Sequence, residues 1–261
     1  SGGTIKHYSI SIEQTETSCQ SATLTLKVND TAFEETVTYS LNEAEANAVI
    51  ENGNTLKVAD SGVGTPIPVT ATFTVNDVSM TRTESVTITS RHVYDSNGFC
   101  TICNGYQPAT KNTEGDYEIG NAGQLYWFAA LVNGTNGLTQ NLSANAVLTA
   151  DITVNTGDAA NCGGTKQAGW KDWTPIGSYL VNYAGTFDGQ NHTVSGLYFN
   201  DSSVLRIGLF GVLGTNGKVY NVGVVDSYFC GYQLVGGVCG AKYGAVENCY
   251  SASTVIGTDS V

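Results

Sequence analysis

Gly208-Leu209-Phe210-Gly211 followed by Lys218-Val219-Tyr220-Asn221-Val222, and then Gly237-Val238-Cys239-Gly240 followed by Ala245-Val246-Glu247-Asn248-Cys249, repeat one pattern near the C-terminal end. Gly208 matches Gly237 at an offset of 29 and Asn221 matches Asn248 at an offset of 27, so the first copy carries the longer turn. Upstream, Gly185-Thr186-Phe187-Asp188-Gly189 and Val194-Ser195-Gly196-Leu197 supply one more rung of the same kind. Self-similarity at a period of about 20–50 residues marks a chain whose units bury their apolar faces against one another. Each unit reads strand, turn, strand, which predicts a parallel β-solenoid with Leu209, Val219, Val222, Val238 and Val246 facing inwards. Glycine permits the tight corners. Asparagine at a fixed corner can bond backbone groups or stack as a ladder.

Working upstream, the rhythm of the chain changes at about Thr113, where the segment leading to these repeats begins. Asn121 is placed to cap a helix, with Gln124 three residues on as its capping-box partner. Leu125, Phe128, Ala129 and Val132 then fall at helical spacing along a single apolar face, and Asn133-Gly134 ends the segment. Leu148, Ala150, Ile152 and Val154 alternate, predicting one strand over Val147–Val154. A Gly- and Asn-containing loop runs on to Gly169.

The first ninety residues have a different rhythm. Ile5–Ile12, Ala22–Val28, Glu35–Ser40, Thr55–Val58, Val69–Val75 and Ser85–Thr89 read as short strands. Asn52-Gly53 and Ser61–Thr65 supply turns, and the Ala- and Glu-rich Leu41–Ala48 reads as a helical turn. Some seven short strands in that length fit a β-sandwich of immunoglobulin type. Lys57 and Glu51 are expected on its solvated face. Arg91–Thr110 breaks the alternation and reads as linker. The expected organisation is therefore a sandwich over 1–90, a linker over 91–112, and a solenoid over 113–261 that is truncated at its C-terminus.

Composition narrows the partners. The 261 residues include 31 Gly and 14 Tyr, and only 13% are charged, a mixture suited to pleated strands and tight turns. The formal net charge of −12 repels phosphate backbones and anionic membranes, so no nucleic acid is expected as a partner. No apolar run approaches the ~20 residues that span a bilayer, so no membrane insertion is expected of this segment either.

Two resemblances sharpen this reading. The pieces "TYS", "ENGNTLKV" and "GVGTPIPVTATFTV" between Val37 and Ile88 resemble bacterial immunoglobulin-like domains. From about Tyr117 onward, "YEIGNAGQLYWFAALVNG", "VLTADITVN", "WTPIG", "GTFDGQNHTVSGL", "IGLFG" and "VGGVCG…GAVENCYS" resemble the GLUG-repeat region of bacterial surface proteins. Similar repeats occur in some secreted immunoglobulin-A-cleaving metallopeptidases. The resemblance implies an all-β chain: an immunoglobulin-like sandwich, then a right-handed parallel β-helix capped by the short helix at Asn121–Val132. It also implies an extracellular, bacterial cell-surface location. It does not imply peptidase activity, because the His-Glu-x-x-His zinc motif is absent.

Candidate chemistry is sparse. Seven cysteines cannot all pair internally. His92, Cys100 and Cys103 form the candidate metal set, since zinc favours imidazole and thiolate and a Cys-x2-Cys pair supplies two adjacent ligands. Zinc is the one candidate cofactor, and the local sequence lacks a fourth ligand. The competing reading is a linker turn with free or disulfide-bonded cysteines. Cys239 and Cys249 take repeat positions held by Phe210 and Val222 and read as inward thiols acting as small hydrophobes. Cys19, Cys162 and Cys230 carry no assignment. Among the aromatics, Trp170, Tyr179 and Tyr183 are candidate ligand-binding residues, because exposed rings stack on sugars or anchor protein contacts. A carbohydrate enzyme built on a solenoid needs clustered carboxylates, or a base near calcium or arginine. Here Asp151, Asp158, Asp172, Asp188, Asp201, Asp226 and Glu247 are sparse, and no two recur at one rung position in adjacent repeats.

The expected function is a non-catalytic, secreted or surface-bound module for adhesion, ligand binding or display. Its expected partner is a host or cell-surface glycan or protein. The alternatives are the non-catalytic portion of a larger secreted peptidase or carbohydrate-active enzyme, and a β-helix carbohydrate enzyme.

Overall fold

A computed structural model describes residues 6–13, 19–41, 47–59, 62–89, 91–103 and 105–259. The described chain is all-β with one helix, and it divides into two compact units. The first takes the described residues within Ser1–Val93 together with Cys100–Gly105. The second takes Tyr94–Phe99 and the described residues from Tyr106 onward.

The first unit holds β1 (Tyr8–Glu13), β2 (Ser21–Val28), β3 (Thr31–Ala32), β4 (Val37–Leu41), β5 (Ala48–Glu51), β6 (Thr55–Val58), β7 (Pro66–Val75) and β8 (Val78–Thr87). They form two antiparallel sheets, one in the order β1-β2-β6-β5 with β3 on β2, the other β4-β7-β8. Alternation decides which side chains go inside. Ala22, Leu24 and Leu26 of β2, Leu56 and Val58 of β6, and Ile67, Val69, Ala71 and Phe73 of β7 fill one shared core. The opposite faces stay polar, and Lys57 and Glu51 pair across neighbouring strands at 2.7 Å on the exposed side. An exposed pair of this kind contributes at most about 1 kcal/mol.

Strand β8 is longer than its pattern suggested. It begins after the tight turn Asn76-Asp77, where both residues have positive φ (50° and 63°) as a two-residue hairpin requires. Ser79 to Ser85 carry few apolar side chains, which hid the pairing from a reading of hydrophobicity alone. Ile5, Ser61 and most of the Leu41–Ala48 segment lie outside the described residues. Leu41 and Ala48 themselves are strand residues.

The second unit is a parallel β-solenoid. Its elements are β9 (Thr110–Lys111), β10 (Tyr117–Ile119), α1 (Ala122–Asn133), β11 (Ala146–Leu148), β12 (Ile152–Thr153), β13 (Thr186–Asp188), β14 (Thr193–Ser195), β15 (Tyr198–Asn200), β16 (Phe210–Leu213), β17 (Lys218–Tyr220), β18 (Gly223–Gly231), β19 (Cys239–Lys242), β20 (Ala245–Glu247) and β21 (Tyr250–Gly257). Tyr117, Ala146, Phe187, Val219 and Val246 lie in register on five successive parallel strands and so count five rungs. A second column runs Ile152, Val194, Val224, Ser251. The offset of 29 read from the repeat is the register Phe210 to Cys239, and the offset of 27 is Val219 to Val246.

Packing follows this register. Leu209, Val219 and Val222 are fully buried, while Val238 and Val246 of the last described rung are partly covered against the same core. Tyr183, Phe187 and Phe210 meet at the centre. Phe210 stacks on Tyr183 at 5.3 Å and meets Phe187 edge-on at 5.2 Å.

At one corner the expected polar ladder forms. The Asn248 Nδ2 donates to the Asn221 Oδ1 at 3.3 Å, and the Asn221 Nδ2 donates to the Asp188 Oδ1 at 3.1 Å. Asn221 and Asn248 both take the left-handed conformation there (φ 56° and 52°), which asparagine tolerates. A Cβ at Gly189 would lie 2.3 Å from the Asn221 carbonyl oxygen, so only glycine fits that approach.

Two expectations are corrected. Val147–Val154 is not one strand, because a solenoid corner separates β11 from β12 and sends them into different sheets. Leu148, Ile152 and Val154 stay buried on both sides of that corner, so the alternation survives the break and conceals it. The helix is also not single-faced. Its expected face is buried, but so are Tyr126, Ala130 and Leu131, since core packs around most of its circumference. Asn121 caps the helix as read, its side chain accepting from the Gln124 amide at 2.9 Å, and Gly134 closes it at φ 68°. The Gln124 side chain, however, accepts from the Gly120 amide at 2.8 Å, one residue before the N-cap, in place of the expected capping-box return to Asn121.

Candidate metal centre

The first unit gathers four metal-binding side chains from two distant stretches of chain, one at Cys19 and one at residues 92–103. Cys19 lies just before β2, His92 follows β8, and Cys100 and Cys103 sit on the loop Cys100–Gly105. The three sulfurs and an imidazole nitrogen all lie within 4.8 Å of one another. The Cys19 and Cys100 sulfurs are 3.6 Å apart, and the Cys103 sulfur is 3.4 Å from the His92 Nδ1. Cys19 and Cys100 are buried, while His92 and Cys103 are half-buried. Among the described residues this is the one such convergence of three or more His, Cys, Asp or Glu side chains.

Local backbone bonding shapes the loop. The Thr101 amide donates to the Val93 carbonyl at 2.8 Å, and the Cys100 amide donates to the Gly105 carbonyl at 2.9 Å. Two further amides point at sulfur, from Ile102 to Cys100 at 3.4 Å and from Gly105 to Cys103 at 3.3 Å. Such donors favour the thiolate form, the form that binds metal. Gly105 is required by space: a Cβ there would sit 2.6 Å from the His92 Cε1 and 3.2 Å from the Cys103 sulfur. On the other side, Gln20 turns the chain with φ 56° immediately after Cys19.

The three thiols differ in acidity. Burial, reinforced by hydrogen bonds to Cys103 and Cys100, pushes the Cys19 thiol up to about 12. Burial also opposes ionisation of Cys100, but the Cys103 and Ile102 amides and His92 outweigh it and bring that thiol down to about 6. Cys103 ends above its ordinary value, with burial the largest cause. One thiolate therefore forms readily, and its charge disfavours the next.

Sequence reasoning brought His92, Cys100 and Cys103 together, and the structure does the same. It missed Cys19. The available signal was that Cys19 is the one cysteine in the first 99 residues, ahead of a three-ligand motif that lacked a fourth.

The other expected site residues lie in the second unit. Tyr183 is fully buried, its hydroxyl donating to the Ala144 carbonyl at 2.8 Å. Trp170 is buried in a small cluster with Ala159, Tyr198, Tyr228 and Cys230, and Cys162 packs on its edge. The Trp170 indole donates to the Thr156 carbonyl at 2.8 Å. Tyr179 is 64% exposed, with the Arg206 guanidinium 4.5 Å above its ring. Cys239 and Cys249 behave as small inward groups, and burial pushes the Cys239 thiol up to about 11.

The carboxylates hold corners. Asp151 accepts from the Thr193 amide at 2.8 Å, Asp188 accepts from the Gln190 amide at 2.9 Å, and Asp201 accepts from the Ser203 amide at 2.9 Å.

No family model matches the chain, and no solved structure matches it. Two curated proteins are similar over part of it. Halomucin of Haloquadratum walsbyi is 34% identical over 79 residues, which is 30% of this chain and 1% of that protein. A putative Gly-rich membrane protein of Evansella cellulosilytica is 34% identical over 83 residues, which is 31% of this chain and 10% of that protein. The chain thus matches a small fraction of the length of either relative, and those names are compatible with a cell-surface location.

Proposed function

We propose that the chain is a non-catalytic module for display and adhesion at a bacterial cell surface, with a glycan or protein on an opposing surface as its partner. The observation that carries this reading is the five-rung parallel register. Repeat scaffolds of this kind extend one rung at a time and expose long, regular faces for contact. The acidic composition, with a net charge of −12, supports a solvated exterior. The corner roles of Asp151, Asp188 and Asp201 support the reading of these carboxylates as structural.

In this proposal the first unit is an immunoglobulin-like sandwich, the rungs are GLUG-type repeats of a right-handed helix, and α1 caps the first of them. The exposed Tyr179 ring, beside Arg206, is the contact point most suited to a sugar face. A glycan and host-protein array with the purified chain tests the reading. A reproducible hit that Tyr179→Ala abolishes is the expected result, and the absence of any hit overturns the adhesive role.

A further inference from the structure

We propose that Cys19, His92, Cys100 and Cys103 bind one zinc ion as a closed, four-coordinate structural centre of the first unit. The donor set is the first argument, because three sulfurs and one imidazole nitrogen make one of the three common structural zinc combinations. The spacing is the second. With Zn–S near 2.3 Å and Zn–N near 2.0–2.1 Å, tetrahedral geometry separates two sulfurs by about 3.8 Å and a sulfur from a nitrogen by about 3.5 Å. The Cys19–Cys100 and Cys103–His92 separations of 3.6 Å and 3.4 Å match those edges. The pair is also well outside the ~2.05 Å of a disulfide, and all seven cysteines are free.

The third argument is the surrounding shell. Amides of Ile102 and Gly105 donate to two of the sulfurs, and Gly105 leaves the clearance that the His92 ring occupies. Supporting groups of this kind orient ligands and tune their basicity. With four protein ligands no position is left open for water or substrate, so the centre is structural. It ties the entry to β2 to the chain that follows β8 and spans the intervening loop much as a disulfide would. Zinc also holds three thiols that would otherwise be open to oxidation.

The test uses the whole chain, kept reduced, with zinc and cobalt(II) as probes. The expected results are one zinc per chain by elemental analysis, and the intense visible bands of tetrahedral cobalt-thiolate on substitution. Three of the seven thiols should resist alkylation until a chelator removes the metal. Cys19→Ser should weaken zinc binding at least ~100-fold, whereas Cys162→Ser, outside the cluster, should leave it unchanged. A pale six-coordinate cobalt spectrum overturns the proposal. So does wild-type zinc affinity in Cys19→Ser, or a Cys19–Cys100 disulfide in the chain as isolated. The cobalt and thiol readings need no variant, so a misfolded Cys19→Ser cannot mask the answer. The proposal is independent of the adhesive reading, and either can fail without the other.

Discussion

Truncating Phe210 to alanine removes the ring at the centre of the solenoid. Phe210 is fully buried, stacks on Tyr183 and meets Phe187 edge-on. A buried phenylalanine covers about 150 Å² or more, and at ~25 cal/mol per Å² its burial is worth about 4 kcal/mol. Measured Phe→Ala losses of about 3–5 kcal/mol, which include the cavity left behind, agree with that figure. Urea is a suitable perturbant, and the three tryptophans, Trp127, Trp170 and Trp173, all lie in the second unit, so indole fluorescence follows that unit. With a urea dependence of about 2 kcal/mol per M, the midpoint should fall by about 2 M. Leu180→Ala is the control: Leu180 is 87% exposed, and the change should cost less than about 0.5 kcal/mol. A Phe210→Ala midpoint within about 0.5 M of wild type would refute the packed, in-register core.

Three further perturbations test separate parts of the structure. Gly189→Ala places a Cβ against the Asn221 carbonyl and should cost about 1–3 kcal/mol in the same fluorescence assay. In the first unit, the Leu26 amide donates to the Tyr39 hydroxyl at 2.7 Å, so Tyr39→Phe leaves that amide unpaired and should cost about 1–3 kcal/mol by circular dichroism. Glu84 gives a pH dependence. Burial pushes its carboxyl up, but the Arg82 guanidinium and the Ile10 amide, with His7 nearby, hold it net below its ordinary 4.5. The folded state therefore binds this proton less readily than the unfolded chain. The stability it supplies is fully present above about pH 4.5 and is lost as pH falls through the depressed folded value. Glu84→Gln should flatten that part of the acid-unfolding profile, and a variant as acid-sensitive as wild type would contradict the assignment.

How much of this was legible in the sequence depended on how far apart the interacting residues lie. The last rungs were readable because Gly208–Gly237 and Asn221–Asn248 repeat at the spacing at which their strands pair. The two earlier rungs, beginning at Tyr117 and Ala146, were not counted, because helix α1 stands between them and a long loop stretches the spacing from Ala146 to Phe187 to 41. Alternation through Leu148, Ile152 and Val154 continues across a corner, so periodicity could not show where one sheet ends and the next begins. At the candidate centre, Cys100 and Cys103 were obvious as a local pair. Cys19 reaches them only because β2 and the segment after β8 come together in three dimensions, and spacing along a sequence carries no such information. Trp170 and Tyr183 look like surface aromatics when read in loops, but each has an apolar body in the core and a polar tip satisfied by a backbone carbonyl.

The most direct measurement is the zinc K-edge X-ray absorption spectrum of the reduced, zinc-loaded chain. The account predicts a first shell of three sulfurs at about 2.3 Å and one nitrogen at about 2.0–2.1 Å. A shell with two or fewer sulfurs, or one dominated by oxygen, would contradict the convergence of Cys19, Cys100 and Cys103 on one ion.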